Sequence, residues 1–315
     1  MGEYNIEFTP EEKTDLDLIL KNSAQDISAK KYYKLLYKVE KFLDKYNWYG
    51  MDRLTLRRTI AESIISKVGF ENFLLGIKSL YQGYLEQKDY GERLELPSNI
   101  THFNAYCFRG LSVGTFVIGP NVELVDEYAF EGASIKQIII DTQTATKSST
   151  IFEEISLSPF RDVIGLETII VRDTCTLQIL QDCFFSNLSS LKKLIIGGAS
   201  LKQLGLNLCW RSQNLEWVAF PGDAVNPLQP KAIFRECPLL QHIIFDNNKE
   251  AWKSKFEISR QLGDTTVQVL DKEAFDLGYL TPHLKLTISC TDGVIEYTCS
   301  KNLYEDYRYR PYRID

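Results

Sequence analysis

The sequence predicts an α+β protein: an N-terminal helical bundle, then a solenoid whose repeats stack a parallel sheet, then a C-terminal β-hairpin cap. Three observations carry this. Apolar residues recur at helical spacing through the first ninety positions, short apolar runs then return every 22–31 residues, and two apolar runs near the end flank a tight-turn sequence. Self-similarity at that period marks stacked supersecondary units rather than one closed core.

The helices come first. Thr9-Pro10-Glu11-Glu12 is a helix start in which Thr9 caps, Pro10 takes the first helical position where its missing N–H costs nothing, and Glu12 completes a capping box. That helix is expected to reach about Asn22. From Ser28 to about Tyr46, Tyr32, Leu35, Leu36, Val39, Phe42, Leu43 and Tyr46 fall on one face. Leu54 to Val68 repeats the pattern through Leu56, Ile60, Ile64 and Ile65 and stops at Gly69, and Glu71 to about Gln87 gives a fourth helix. Residues 1–91 are therefore expected as the helical domain, 92–270 as the solenoid, and 271–315 as the cap with its tail.

From Arg93 the texture changes. Strand candidates begin near Leu94, Phe116, Ile138, Ile169, Leu194, Val218 and Ile243. A second landmark, a small residue or cysteine before an aromatic, follows in step: Cys107-Phe108, Ala129-Phe130, Pro159-Phe160, Cys183-Phe184, Cys209-Trp210 and Ile233-Phe234. No such unit can bury its own apolar side, so the strands should stack into a parallel sheet and the aromatics into an internal ladder. Cys107, Cys183 and Cys209 then read as small interior residues. At the end, Asp292-Gly293 suits a hairpin turn between two apolar strands.

Composition excludes several classes. Net charge is −6, with 14 acidic and 14 basic residues in positions 1–90 and the surplus beyond, unlike the basic balance of a nucleic-acid coat. The start has no apolar signal segment, and no run is long enough for a membrane helix. Seven cysteines, none in a Cys-x-x-Cys pair, fit a reduced compartment. The three histidines do not cluster with cysteines, so no metal or cofactor is expected.

Leu96 to Gly110 and Gly119 to Gly132 resemble the BspA-like leucine-rich repeat, whose pattern runs Pro-x-x-Val-x-x-Ile-x-x-x-Ala-Phe-x-x-Cys-x-x-Leu. Asn187-Leu188-Ser189-Ser190-Leu191, Ser212 to Leu215 and Glu236 to Leu240 continue it more loosely. Lys249-Glu250-Ala251-Trp252 and Cys290-Thr291-Asp292-Gly293 are similar to the helix and last hairpin that end members of that family. Residues 142–158 and Val225 to Pro230 depart from it. The resemblance implies a leucine-rich-repeat solenoid that binds other proteins or surface ligands, with no catalytic motif to carry over. Many members are surface proteins with signal peptides. This chain, lacking one, is expected as a cytoplasmic or phage-encoded member, a virion component or a host-protein-binding factor.

Two constellations are candidate interaction residues. Lys30, Lys34, Lys38, Lys41 and Lys45 line the second helix as a basic stripe, for which a solvated face opposite the apolar stripe, interrupted by Glu40 and Asp44, is the plainer reading. In the tail, Tyr307, Arg308, Tyr309, Arg310, Tyr312 and Arg313 alternate the residue types enriched at interface centres. The partner expected is another protein or a neighbouring subunit. The alternatives are a glycan-binding adhesin, to which a groove exposing Trp210 or Trp217 would point, and an enzyme built on residues 1–90.

Overall fold

The computed structural model describes residues 10, 14, 33–34, 36–38, 40, 51–85, 89–142, 158–197, 201–221, 232–262, 265–270 and 285–298. Helix α1 (Met51–Val68) ends at Gly69, whose φ of +83° suits a residue without Cβ, and α2 (Phe70–Gly76) follows. The expected continuation to Gln87 does not occur. Ile77 is already extended, and strand β1 (Ser79–Leu80) pairs with a repeat strand. The reason is tertiary. Asn99 Nδ2 donates to the carbonyls of Leu74 and Ile77 at 2.8 and 2.5 Å, and Asn104 takes the Leu80 carbonyl, so the first repeat satisfies groups that another helical turn would have used. The expected N-terminal helical bundle is not supported. The described helices are short, and Leu36, Ile60, Ile64, Phe73 and Leu74 bury into the same continuous apolar cluster as the repeats.

Downstream come β2 (Arg93–Glu95), β3 (His102–Phe103), β4 (Ser112–Ile118), β5 (Leu124–Val125), β6 (Ser134–Ile140) and β7 (Thr168–Val171). They are followed by β8 (Ile179–Leu180), β9 (Lys193–Ile196), β10 (Gln203–Leu204), β11 (Trp217–Pro221) and β12 (His242–Asp246). Helix α3 (Lys249–Phe256), the hairpin β13 (Glu257–Leu262) with β14 (Thr265–Leu270), and the hairpin β15 (Lys285–Cys290) with β16 (Gly293–Thr298) complete the described chain.

The main sheet has nine strands in the order β16-β15-β12-β11-β9-β7-β6-β4-β2, parallel throughout except for the terminal β15–β16 hairpin. The seven residues read from sequence as strand starts form one register row, Leu94, Phe116, Ile138, Ile169, Leu194, Val218 and Ile243, which Ile288 of β15 extends. From Phe116 onward every member of that row is fully buried. On the far side of the coil, β1-β3-β5 and β8-β10 form two smaller parallel sheets.

Inside, Phe108, Phe130, Phe160 and Phe185 stack in sequence with ring centroids 4.6, 5.5 and 6.3 Å apart. Phe185 donates its amide to Leu208 as Phe108 does to Ala129, and Cys209 does so to Ile233, so Cys209 and Phe234 hold the same position in later turns. Two landmarks are therefore displaced by one residue from expectation: the pairs are Phe184-Phe185 and Leu208-Cys209, not Cys183-Phe184 and Cys209-Trp210. Backbone corners explain the shift. Left-handed residues stand two before and two after the ladder residue, as Tyr106 and Gly110, Tyr128 and Gly132, Cys183 and Asn187, Asn207 and Arg211, and Ala232 and Glu236. Cys107 and Cys209 are interior as expected, whereas Cys183 is a half-buried corner residue.

At the C-terminal end Asn248 caps α3 by accepting from the Ala251 amide at 2.8 Å. Trp252 and Phe256 close the coil against Phe220 and Phe245. Trp252 Nε1 donates to the Tyr297 hydroxyl at 2.9 Å, which donates to Glu257 Oε1 at 2.5 Å. The last hairpin pairs Cys290 with Gly293, so its loop is Thr291-Asp292, one residue earlier than expected. Asp292 Oδ1 accepts from the Lys249 amide at 2.8 Å, which ties the hairpin tip to the start of α3.

Candidate protein-binding face

Because side chains alternate across a strand, each main-sheet strand sends the neighbours of its inward residue outward. Two outward rows result. The first runs Arg93, Thr115, Gln137, Thr168, Lys193, Trp217, His242 and Thr287 and is mostly polar. The second runs Glu95, Val117, Ile139, Ile170, Ile195, Ala219, Ile244, Ser289 and Val294, with seven apolar members of nine. Exposure rises among its apolar members: Val117 is 2% and Ile139 7% exposed, Ile170, Ile195 and Ala219 are half-buried, and Ile244 and Val294 reach 40% and 53%. Val117 and Ile139 are buried, so the apolar surface is the stretch from Ile170 onward, which increases in exposure toward Ile244 and Val294.

The rest of the face is stiffened by contacts between turns. Lys193 Nζ lies over the Trp217 ring at 4.4 Å. At the strand entrances Lys192 reaches Glu167 at 2.9 Å, and that hydrogen bond and charge hold the Glu167 carboxyl below its ordinary value. At a corner of the coil, the Trp210 ring is flanked by Arg211 and Arg235 at 4.5 and 5.8 Å, while its Nε1 donates to Glu236 at 3.2 Å. Trp210 and Trp217 are thus both half-buried with cations over their rings.

Of the basic stripe, Lys34 and Lys38 are exposed on helical residues, and Lys30, Lys41 and Lys45 lie outside the described residues. Glu40, expected to interrupt that solvated face, is instead buried and paired with Arg57. The tail candidates Tyr307, Arg308, Tyr309, Arg310, Tyr312 and Arg313 also lie outside the described residues. Among the described residues no group of three metal-ligating side chains is found, and no helix is long and apolar enough to cross a membrane. His102 Nδ1, at the start of β3, sits 2.6 Å from the hydroxyl of the preceding Thr101, and His242 is exposed in the first outward row. The apolar row was missed because each member belongs to a run such as Ile138-Ile139-Ile140 that reads as wholly buried. Only the register assigns its middle residue to the outside.

A family model for the BspA type leucine-rich repeat region matches in six copies over residues 78–160 and 153–276. The chain belongs to that family. The match begins at residue 78, one position before β1, in keeping with the pairing of β1 to the first repeat. The BspA-type repeats therefore account for both the inward row and the ladder. Comparison with curated proteins and with solved structures finds no match to this chain. Leucine-rich repeats generally mediate binding to proteins or surfaces, and the BspA-like family is typically non-enzymatic.

Proposed function

We propose that this protein is a non-enzymatic recognition module that binds another protein through the outward face of its main sheet. The observation that carries the reading is the second outward row, from Ile170 through Ile195 and Ala219 to Ile244 and Val294, apolar and increasingly exposed on a rigid scaffold. Depletion of charge at the centre of a patch and enrichment at its rim is the composition of a binding surface. Here Lys193 and His242 lie on one side of the row and Asp246 on the other.

The two alternatives find less support. A glycan platform needs an open aromatic face, and a cation lies over the ring of each of the two tryptophans considered for it. For an enzyme on residues 1–90, the shifted groups among the described residues are tyrosines: burial raises Tyr33, Tyr84 and Tyr90, and Glu40 adds to the rise at Tyr84, but Arg57 occupies both Glu40 oxygens. That arrangement is a structural lock.

Within the preferred reading, a phage-borne virion subunit or a host-protein-binding factor is the setting the sequence resemblance suggests. The test is affinity capture from infected and uninfected source cells with the full chain and with an Ile195→Lys/Ile244→Lys variant as parallel baits. A protein retained by the parent and lost from the variant supports the sheet face. Equal capture by both contradicts it.

A further inference from the structure

The second outward row is not evenly filled. Ala219 stands in register between Ile195 and Ile244, so two long side chains flank a single methyl group and leave a dip. Trp217, two residues earlier on the same strand and face, walls one side of that dip beneath Lys193. On the other side Pro221 pairs with Asp246, whose carboxylate is exposed. The dip therefore has an apolar floor, apolar walls along the solenoid axis, the Lys193 ammonium and the exposed His242 ring to one side, and an anion to the other.

Spacing narrows what can lie along the row. Adjacent strands are about 4.8 Å apart. An α-helix laid across them advances about 5.4 Å per turn, nearly one strand per turn, and so presents one apolar side chain to each strand it crosses. An extended segment presents same-face residues about 6.6 Å apart and falls out of step within two strands. The stretch from half-buried Ile170 to exposed Ile244 covers four neighbouring strands, which is close to three helical turns.

We infer that β7, β9, β11 and β12 receive an amphipathic α-helix of a partner protein, laid across the strands with one large apolar side chain seated over Ala219. Its acidic flank faces Lys193. This rests on the sheet-face reading and adds to it the shape and polarity of the partner.

The full chain serves as bait for a displayed library of random peptides of about 20 residues, long enough for five helical turns. Binders are compared on Ala219→Trp, which fills the dip, and on Ile244→Lys, which charges its wall. Both change outward side chains only, and their melting temperatures are checked against the parent. The expected result is an enriched family with apolar residues at three- and four-residue spacing and acidic residues on one flank, weakened at least about tenfold by both variants. Enriched peptides with apolar residues at alternate positions, still weakened by Ile244→Lys, overturn the helix and leave the sheet face standing. Binders indifferent to both variants, or no enrichment at all, overturn the sheet-face reading as well.

Discussion

Arg57 grips the Glu40 carboxylate with two hydrogen bonds, Nε donating to Oε1 at 2.6 Å and Nη2 to Oε2, with both side chains buried. The Tyr84 hydroxyl donates to the same Oε1 at 3.4 Å, and the Arg57 guanidinium lies 4.8 Å from the Tyr81 ring. One ion pair thus ties a helical residue before α1, α1 itself and the turn that leads into the repeats. Removing one partner strands a buried charge, so Arg57→Leu or Glu40→Leu alone is expected to cost about 3–5 kcal/mol in urea unfolding. The double Glu40→Leu/Arg57→Leu variant should recover most of that loss. Equal stability of the single variants and the parent would show that the pair is solvated.

The phenylalanine ladder makes a second demand. Phe130 is fully buried between Phe108 and Phe160, with Phe103 and Phe116 at its edge. Phe130→Ala should cost about 3–5 kcal/mol, because the stacked turns on either side cannot collapse into the void. Calorimetry should show one transition moved to lower temperature. A cost under about 1 kcal/mol would mean that the turns repack freely.

Close approach of adjacent turns is most demanding at Gly205, where a Cβ would lie 2.3 Å from the Gln181 carbonyl carbon. At Gly119 nothing lies within 4 Å of that position. Gly205→Ala should therefore destabilise by about 1–3 kcal/mol or more, and Gly119→Ala by little. Comparison of urea midpoints checks the pair, and similar values for the two would contradict the tight approach.

Alkaline pH should weaken the fold. Burial raises the thiols of Cys107, Cys209 and Cys237, so all three stay protonated in the native chain at pH values where unfolded thiols, near 8.5, have ionised. The native state then binds more protons than the unfolded one. Their contribution is fully present below about pH 8.5 and falls as pH rises, by about 1.4 kcal/mol per unit for each thiol. Unfolding under reducing conditions from neutral pH to about pH 10 should show the decline, and Cys107→Ala should reduce its slope. A midpoint independent of pH over that range would sink the argument.

How much of this could be read from sequence depends on whether a residue's role is local. Ile138 and Ile243 declare themselves by spacing, because every turn must place an apolar residue at the same depth, and Asp292 next to Gly293 announces a hairpin to within one residue. The end of α2 does not, because Asn99, more than twenty residues on, takes up the carbonyls of Leu74 and Ile77 there, and Asn104 takes that of Leu80 in β1. Glu40 looks like any exposed helical glutamate until Arg57 is folded against it. Cys183 and Trp210 follow the small-then-aromatic rule closely enough to be placed one residue out, since the left-handed corners that fix the ladder carry Tyr, Cys, Asn and Ala without a common side chain. The outward row has the same difficulty: Ala219 and Ile244 are apolar like their buried neighbours, and only pairing of the strands separates inside from outside.

The most direct measurement is hydroxyl-radical footprinting of the full chain, free and bound to the protein it captures. Binding at the sheet face predicts reduced oxidation of Ile195, Trp217 and Ile244, with Trp210 unchanged as an internal control. Unchanged oxidation of those three side chains, with protection confined to Trp210 or other sites away from the main sheet, would contradict it.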